Sequence, residues 1–185
     1  IYLGIGTFAL SGCNSKKDQQ IKERQNSDKP NVIWILADDV GYGDLGCYGN
    51  PEVETPNIDS LAAQGVQLTD FYVNAPVCSP TRASLLTGRD PQRHGLANVI
   101  ETQDHRTYLS LDETLISDLL KKEGYTTGII GKWHIGEPEP ALPQNRGFDY
   151  FFGSPLGGLG FFSHKFLNGQ HALFRNGEEV HREGE

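Results

Sequence analysis

Residues 31–37, NVIWILA, are apolar almost without interruption and rich in β-branched types. That pattern predicts a strand buried on both faces, as in a parallel sheet. It runs into DDVGYGDLGCYGN, a loop dense in Gly and Asp. Thr55 then reads as an N-cap with Pro56 at the first helical position, Ile58, Leu61 and Ala62 keep a helical period, and Gly65 ends it. VQLTDFYV, 66–73, predicts a second strand. Ser79 as N-cap and Pro80 at N1 open a helix that Gly88 closes. Asp112 caps ETLISDLLKKE, with Leu115, Ile116, Leu119 and Leu120 as its apolar stripe. YTTGII, 125–130, is a further strand leading into GKWHIG, and LFRNGEEV, 173–180, a hairpin turning at Asn176-Gly177 as type I′. Strands alternating with helices give an α/β fold with a mostly parallel central sheet flanked by helices. Ligands of such folds bind at the carboxyl ends of the strands. There the unusual residues collect: Asp38-Asp39, Cys78 to Arg82, then Lys132 and His134.

The first thirteen residues behave differently. IYLGIGTFAL is apolar but too short to cross a bilayer as a helix, and LSGC follows it, ending at Cys13. An apolar segment, small residues and then Cys resembles a bacterial lipoprotein signal, cleaved before a Cys that becomes lipidated. The implied anchor is a lipid on Cys13, and the implied location is the bacterial periplasm or outer membrane. Residues 14–30 are polar without apolar period, a tether between membrane and a domain spanning 31–185. The chain has no Met, even at position 1, and stops at HREGE, so a truncation at both ends is expected. An exported setting permits a disulfide between the two other cysteines, Cys47 and Cys78.

Charge excludes one class of partner. Residues 31–185 hold 11 Lys and Arg against 21 Asp and Glu, whereas a nucleic-acid binder presents a basic face. If the substrate is an anion, the positive charge that receives it must be local.

Two adjacent carboxylates at the end of a strand repel each other, and a hard divalent cation would relieve them. Alone, such a pair is more often an ordinary turn. Cys78 stands at a helix N-terminus, facing the positive end of the dipole, with Arg82 one turn up the same face. Both favour an anion at residue 78.

CSPTR followed by ASLLTGR resembles the Cys-x-Pro-x-Arg signature of type I sulfatases. NVIWILADDVGYGDLGCYGN, TPNIDSLAAQG and GYTTGIIGKWHIG are similar to the neighbouring sulfatase blocks, in the same order, and RGFDYFFGSP resembles the arylsulfatase and N-acetylgalactosamine-6-sulfatase branch. The resemblance implies an alkaline-phosphatase-like α/β sandwich, of which this is the N-terminal part. It implies that Cys78 is oxidised to Cα-formylglycine by a formylglycine-generating or anaerobic sulfatase-maturing enzyme that reads Pro80 and Arg82. The hydrated aldehyde would attack the sulfur of a sulfate ester, and its second hydroxyl would expel sulfate and restore the aldehyde. Asp38 and Asp39, with the oxygen of residue 78, would ligate Ca2+. Arg82 would stabilise the ionised diol, Lys132 would contact sulfate, and His134 would bind substrate and hold or shuttle the hydroxyl proton. The implied substrates are sulfated sugars such as glycosaminoglycan fragments. The family completes its calcium site with an Asp-Asn pair much later in the chain and adds a second Lys and His downstream, none of which can be placed here because the sequence ends first.

Two other readings stand beside this one. A phosphonate or phosphate ester hydrolase shares the fold and can share the motif. A non-catalytic glycan-binding lipoprotein would carry a Cys47–Cys78 disulfide instead. His94 and His105 are expected to line or flank the pocket mouth. His164, His171 and His181 fall in loop and hairpin and take no catalytic role. Gly157 and Gly158 stand in the zone where some relatives carry a polar residue, so that contact is not expected here.

Overall fold

Pro56 fits the first turn of a helix because its missing N–H would be unpaired there, and α1 runs Pro56–Gln64 as expected. The computed structural model describes residues 29–101, 104–182 and 184. The lipoprotein signal, the lipidated Cys13 and nearly all of the tether lie outside them. The chain divides into two compact units, Ile1–Asp44 and Leu45–Glu185.

In the first unit, residues 31–37 form no strand. Among the described residues they have no ladder partner, and Ile33 is 84% exposed. A strand exists only where its N–H and C=O groups find a neighbour, so an apolar run alone does not make one. Asp38 and Asp39 follow in a bend, both exposed, with Asp39 at a left-handed φ of 57°.

In the second unit, the 3-10 turn Gly46–Tyr48 is tied to α1 through Asp59. Its carboxylate accepts from Cys47 N at 2.7 Å and from the Thr55 hydroxyl at 2.8 Å. The strand expected at 66–73 is interrupted by a turn at Thr69-Asp70 and stays exposed. Three further helices follow: α2 Cys78–Thr87, α3 Pro91–His94 and α4 Ile116–Lys122. Helix α2 starts earlier than its sequence suggests. Val77 is the N-cap residue, Cys78 lies in the first turn, and the Ser79 hydroxyl accepts from Ile100 N at 3.1 Å instead of capping the helix. Gly88 ends α2 in the left-handed conformation, as expected. Helix α4 starts later, because the Asp118 carboxylate takes Leu115 N at 3.0 Å and so fixes Leu115, not Asp112, as the cap.

The strands β1 Gly128–Lys132, β2 Tyr150–Ser154, β3 Phe174–Arg175 and β4 Glu178–Glu179 form one sheet in that order. β1 and β2 are parallel, while the two later pairs are antiparallel. The α/β class therefore holds, with a mixed sheet among the described residues rather than a mostly parallel one. The β3–β4 turn has positive φ at both Asn176 and Gly177, as type I′ demands.

The core gathers Ala83 of α2 with Leu96, Ile100, Leu109, Leu115, Trp133, Ile135 and Phe148. Trp133 meets Phe148 edge to face at 5.9 Å, and its indole N–H donates to Ala141 O at 3.0 Å. Arg146 is buried and donates to the carbonyls of Leu109, Ser110 and Glu113 at 3.0–3.1 Å. The expected helix 113–123 therefore gives up its first turn to a loop held by one guanidinium.

Candidate active site

β1 ends at Lys132, yet the chain keeps its place beside β2: Trp133 N donates to Ser154 O at 2.8 Å and His134 N to Pro155 O at 3.2 Å. His134 then takes a left-handed φ of 58°. Strand alternation stops there, so it is not what aims the His134 side chain, contrary to the expectation from Lys-x-His spacing.

What aims it is a closed circuit. The His134 Nε2–H donates to the Ile100 carbonyl at 3.0 Å, since a carbonyl can only accept. Ile100 is itself held by the hydroxyl of Ser79. Beside Ser79 is Cys78, whose Sγ lies 3.1 Å from His134 Nδ1. With a proton committed to Nε2, the imidazole in its neutral form presents a lone pair at Nδ1 and accepts from whatever hydrogen residue 78 offers. His134 is buried, and Gly157 backs it closely: a Cβ there would sit 2.8 Å from ring Cε1 and 2.9 Å from Nε2.

Arg82 is buried one turn beyond Cys78 on α2, and its Nη1 donates to the Lys132 carbonyl at 2.6 Å. One guanidinium, permanently charged, therefore joins α2 to the end of β1. The structure brings Cys78, Arg82, His134 and the Lys132 backbone together. Asp38 and Asp39 belong to the first unit. Both are exposed to water, which screens their repulsion and leaves their oxygen-donor chemistry as the argument for a cation.

Cys47 and Cys78 are both free, so the Cys47–Cys78 disulfide is not formed. His94 is not a pocket residue. It is buried, accepts from Leu96 N at Nδ1 and so donates through Nε2 to Ser84 Oγ at 3.1 Å. That arrangement cannot take a proton from Ser84, and burial lowers the His94 pKa, which favours the neutral ring. His105 pairs with Glu137 at 3.5 Å and borders a cavity of about 150 Å³ with Leu142, Gln144 and Phe151. None of Cys78, Arg82, Lys132 and His134 borders that cavity.

The sulfatase family profile matches residues 30–172. The chain belongs to the sulfatase family. It is 51% identical over 128 residues to arylsulfatase A of Homo sapiens, covering 68% of this chain and 25% of the relative. With N-acetylgalactosamine-6-sulfatase of Rattus norvegicus it shares 47% over 133 residues, again 68% of this chain and 25% of the relative. The crystal structure of Ps i-CgsB in complex with k-i-k-neocarrahexaose superposes with a TM-score of 0.79 at 36% identity, covering 84% of this chain and 38% of that one. The sulfatase chain thus spans about a quarter of the length of those curated relatives. Ile100 and Ser79 escaped the sequence reading, because a backbone carbonyl on an apolar residue and a hydroxyl diverted from capping leave no motif.

Proposed function

We propose that the protein hydrolyses sulfate esters of sulfated sugars or glycosaminoglycan fragments at residue 78, after a maturation enzyme has converted Cys78 to Cα-formylglycine. Membership of the sulfatase family supports this, as do a relative named for N-acetylgalactosamine 6-sulfate and a structural neighbour holding an oligosaccharide. The observation that carries it is the 3.1 Å approach of Cys78 Sγ to His134 Nδ1 at the first turn of α2. Sγ marks the place of the formylglycine oxygen. Formylglycine, once hydrated, supplies the attacking oxygen and the second hydroxyl that closes the cycle.

The chain's own residues serve that chemistry in distinct ways. His134 Nδ1 holds the proton of the group at residue 78, and the Ile100 bond keeps the ring from turning away. Arg82 supplies fixed positive charge where negative charge develops, and its burial strengthens the effect. Lys132 is the residue for the sulfate oxygens. Asp38 and Asp39 fit Ca2+ by donor chemistry, two adjacent exposed carboxylates offering hard oxygens, and the ion would polarise the ester. We place the protein outside the cytoplasm, held by a lipid on Cys13.

Mass spectrometry of the full-length protein from its native host, paired with turnover of a sulfated sugar and of its phosphate analogue, tests the reading. A carbonyl at residue 78 and preference for the sulfate ester are expected. An intact thiol or cystine there in protein that still removes sulfate would overturn it.

A further inference from the structure

The hairpin arms carry a second cluster of ligating side chains that the proposed reaction does not use. One donor atom each from His171, Glu179 and His181 lies within 4.8 Å of the other two. His181 Nε2 is 3.2 Å from Glu179 Oε2, and the imidazoles of His171 and His181 face each other with centroids 4.4 Å apart. Two imidazoles and a carboxylate within such reach of one another offer three donors to a single cation. His171 is prepared for it. Its Nε2–H donates to the Leu173 carbonyl at 2.8 Å, which fixes the ring and leaves the Nδ1 lone pair available. Histidines that hold metals are anchored through the other nitrogen in this way. The edge of Phe174 against His171 steadies the ring further.

We propose that His171, Glu179 and His181 bind a divalent transition cation of the Zn2+ class. Two imidazoles and a carboxylate suit Zn2+, Co2+ or Ni2+ rather than Ca2+, which prefers oxygen alone. Zn–N bonds of about 2.1 Å require the donors to close in slightly, a rotamer adjustment open to exposed side chains. Glu179 and His181 are exposed, and His171 is half-buried. The ion would clamp the segment before β3 to the end of β4 and the segment just beyond it. Water would fill its remaining positions.

Co2+ titration of the full-length protein, followed by visible absorption and calorimetry, tests this. One equivalent with a ligand-field band and no thiolate charge-transfer band is expected. His181→Ala should weaken binding about tenfold or more, and Glu179→Gln should weaken it too. Zn2+ should raise the melting temperature of the wild type but not of His181→Ala. Both changed residues are exposed, so neither variant is expected to misfold. Equal affinity in His181→Ala, no binding at all, or a thiolate band that vanishes in Cys78→Ala would each overturn the proposal.

Discussion

His134 donates through Nε2 to the Ile100 carbonyl at 3.0 Å, and that bond decides what Nδ1 can do 3.1 Å from Cys78. A free imidazole could present either nitrogen. Here the tautomer is chosen by a backbone group with no proton to give, so the lone pair faces residue 78. If this is the proton-holding group, His134→Ala in full-length matured protein should lower kcat about 10²–10⁴-fold with folding retained. Steady-state kinetics on a sulfated sugar, beside a circular dichroism melt, gives the answer; unchanged kcat would remove His134 from the reaction.

Gly157 leaves no room for a methyl group beside that ring, whereas a Cβ at Gly158 would meet nothing within 4 Å. Because both ring nitrogens are engaged, the imidazole cannot step aside without giving up a partner. Gly157→Ala should therefore depress kcat by about 10²-fold, the cost of an ångström-scale misplacement, while Gly158→Ala stays close to wild type. Similar kinetics for the two variants would refute this account of Gly157.

Arg82 makes its 2.6 Å bond to Lys132 O from a planar fork. Lysine brings a point charge on a flexible stem and cannot reproduce it. Arg82→Lys should cost about 10²–10³-fold in kcat in matured protein. Mass spectrometry of residue 78 in the same sample separates failed maturation from failed catalysis.

Asp149 gives a pH signature unrelated to catalysis. Lys121 at 2.6 Å, with Thr127, lowers its pKa from 3.8 to about 2. A depressed carboxylate stabilises the fold above its unfolded pKa, and the contribution fades as pH falls. Stability should thus decline between about pH 4 and pH 2 through this group. Denaturant titrations across that window should show a shallower decline in Asp149→Asn.

Arg146 holds three carbonyls in the core, and replacing it with Met would leave all three without that donor. Arg146→Met should destabilise the fold by about 3 kcal/mol or more, seen as a lower urea midpoint. A change under about 1 kcal/mol would mean that water replaces the guanidinium.

By itself, the sequence determined the elements whose causes are local. Pro56 opens α1, Gly88 closes α2, and Asn176-Gly177 turns the hairpin, because backbone preference acts over a few residues. It also determined the family, since CSPTR, GKWHIG and their companions are chemical requirements written in consecutive residues. Tertiary structure alone decided the rest. Residues 31–37 and 66–73 look like strands, but a strand is completed only by a neighbour's hydrogen bonds. Ser79 reads as a cap until Ile100 claims its hydroxyl, and Lys-x-His suggests alternation until His134 turns left-handed. Which nitrogen of His134 carries the proton is set by Ile100, 34 residues away, through a carbonyl that every residue possesses and no motif can mark.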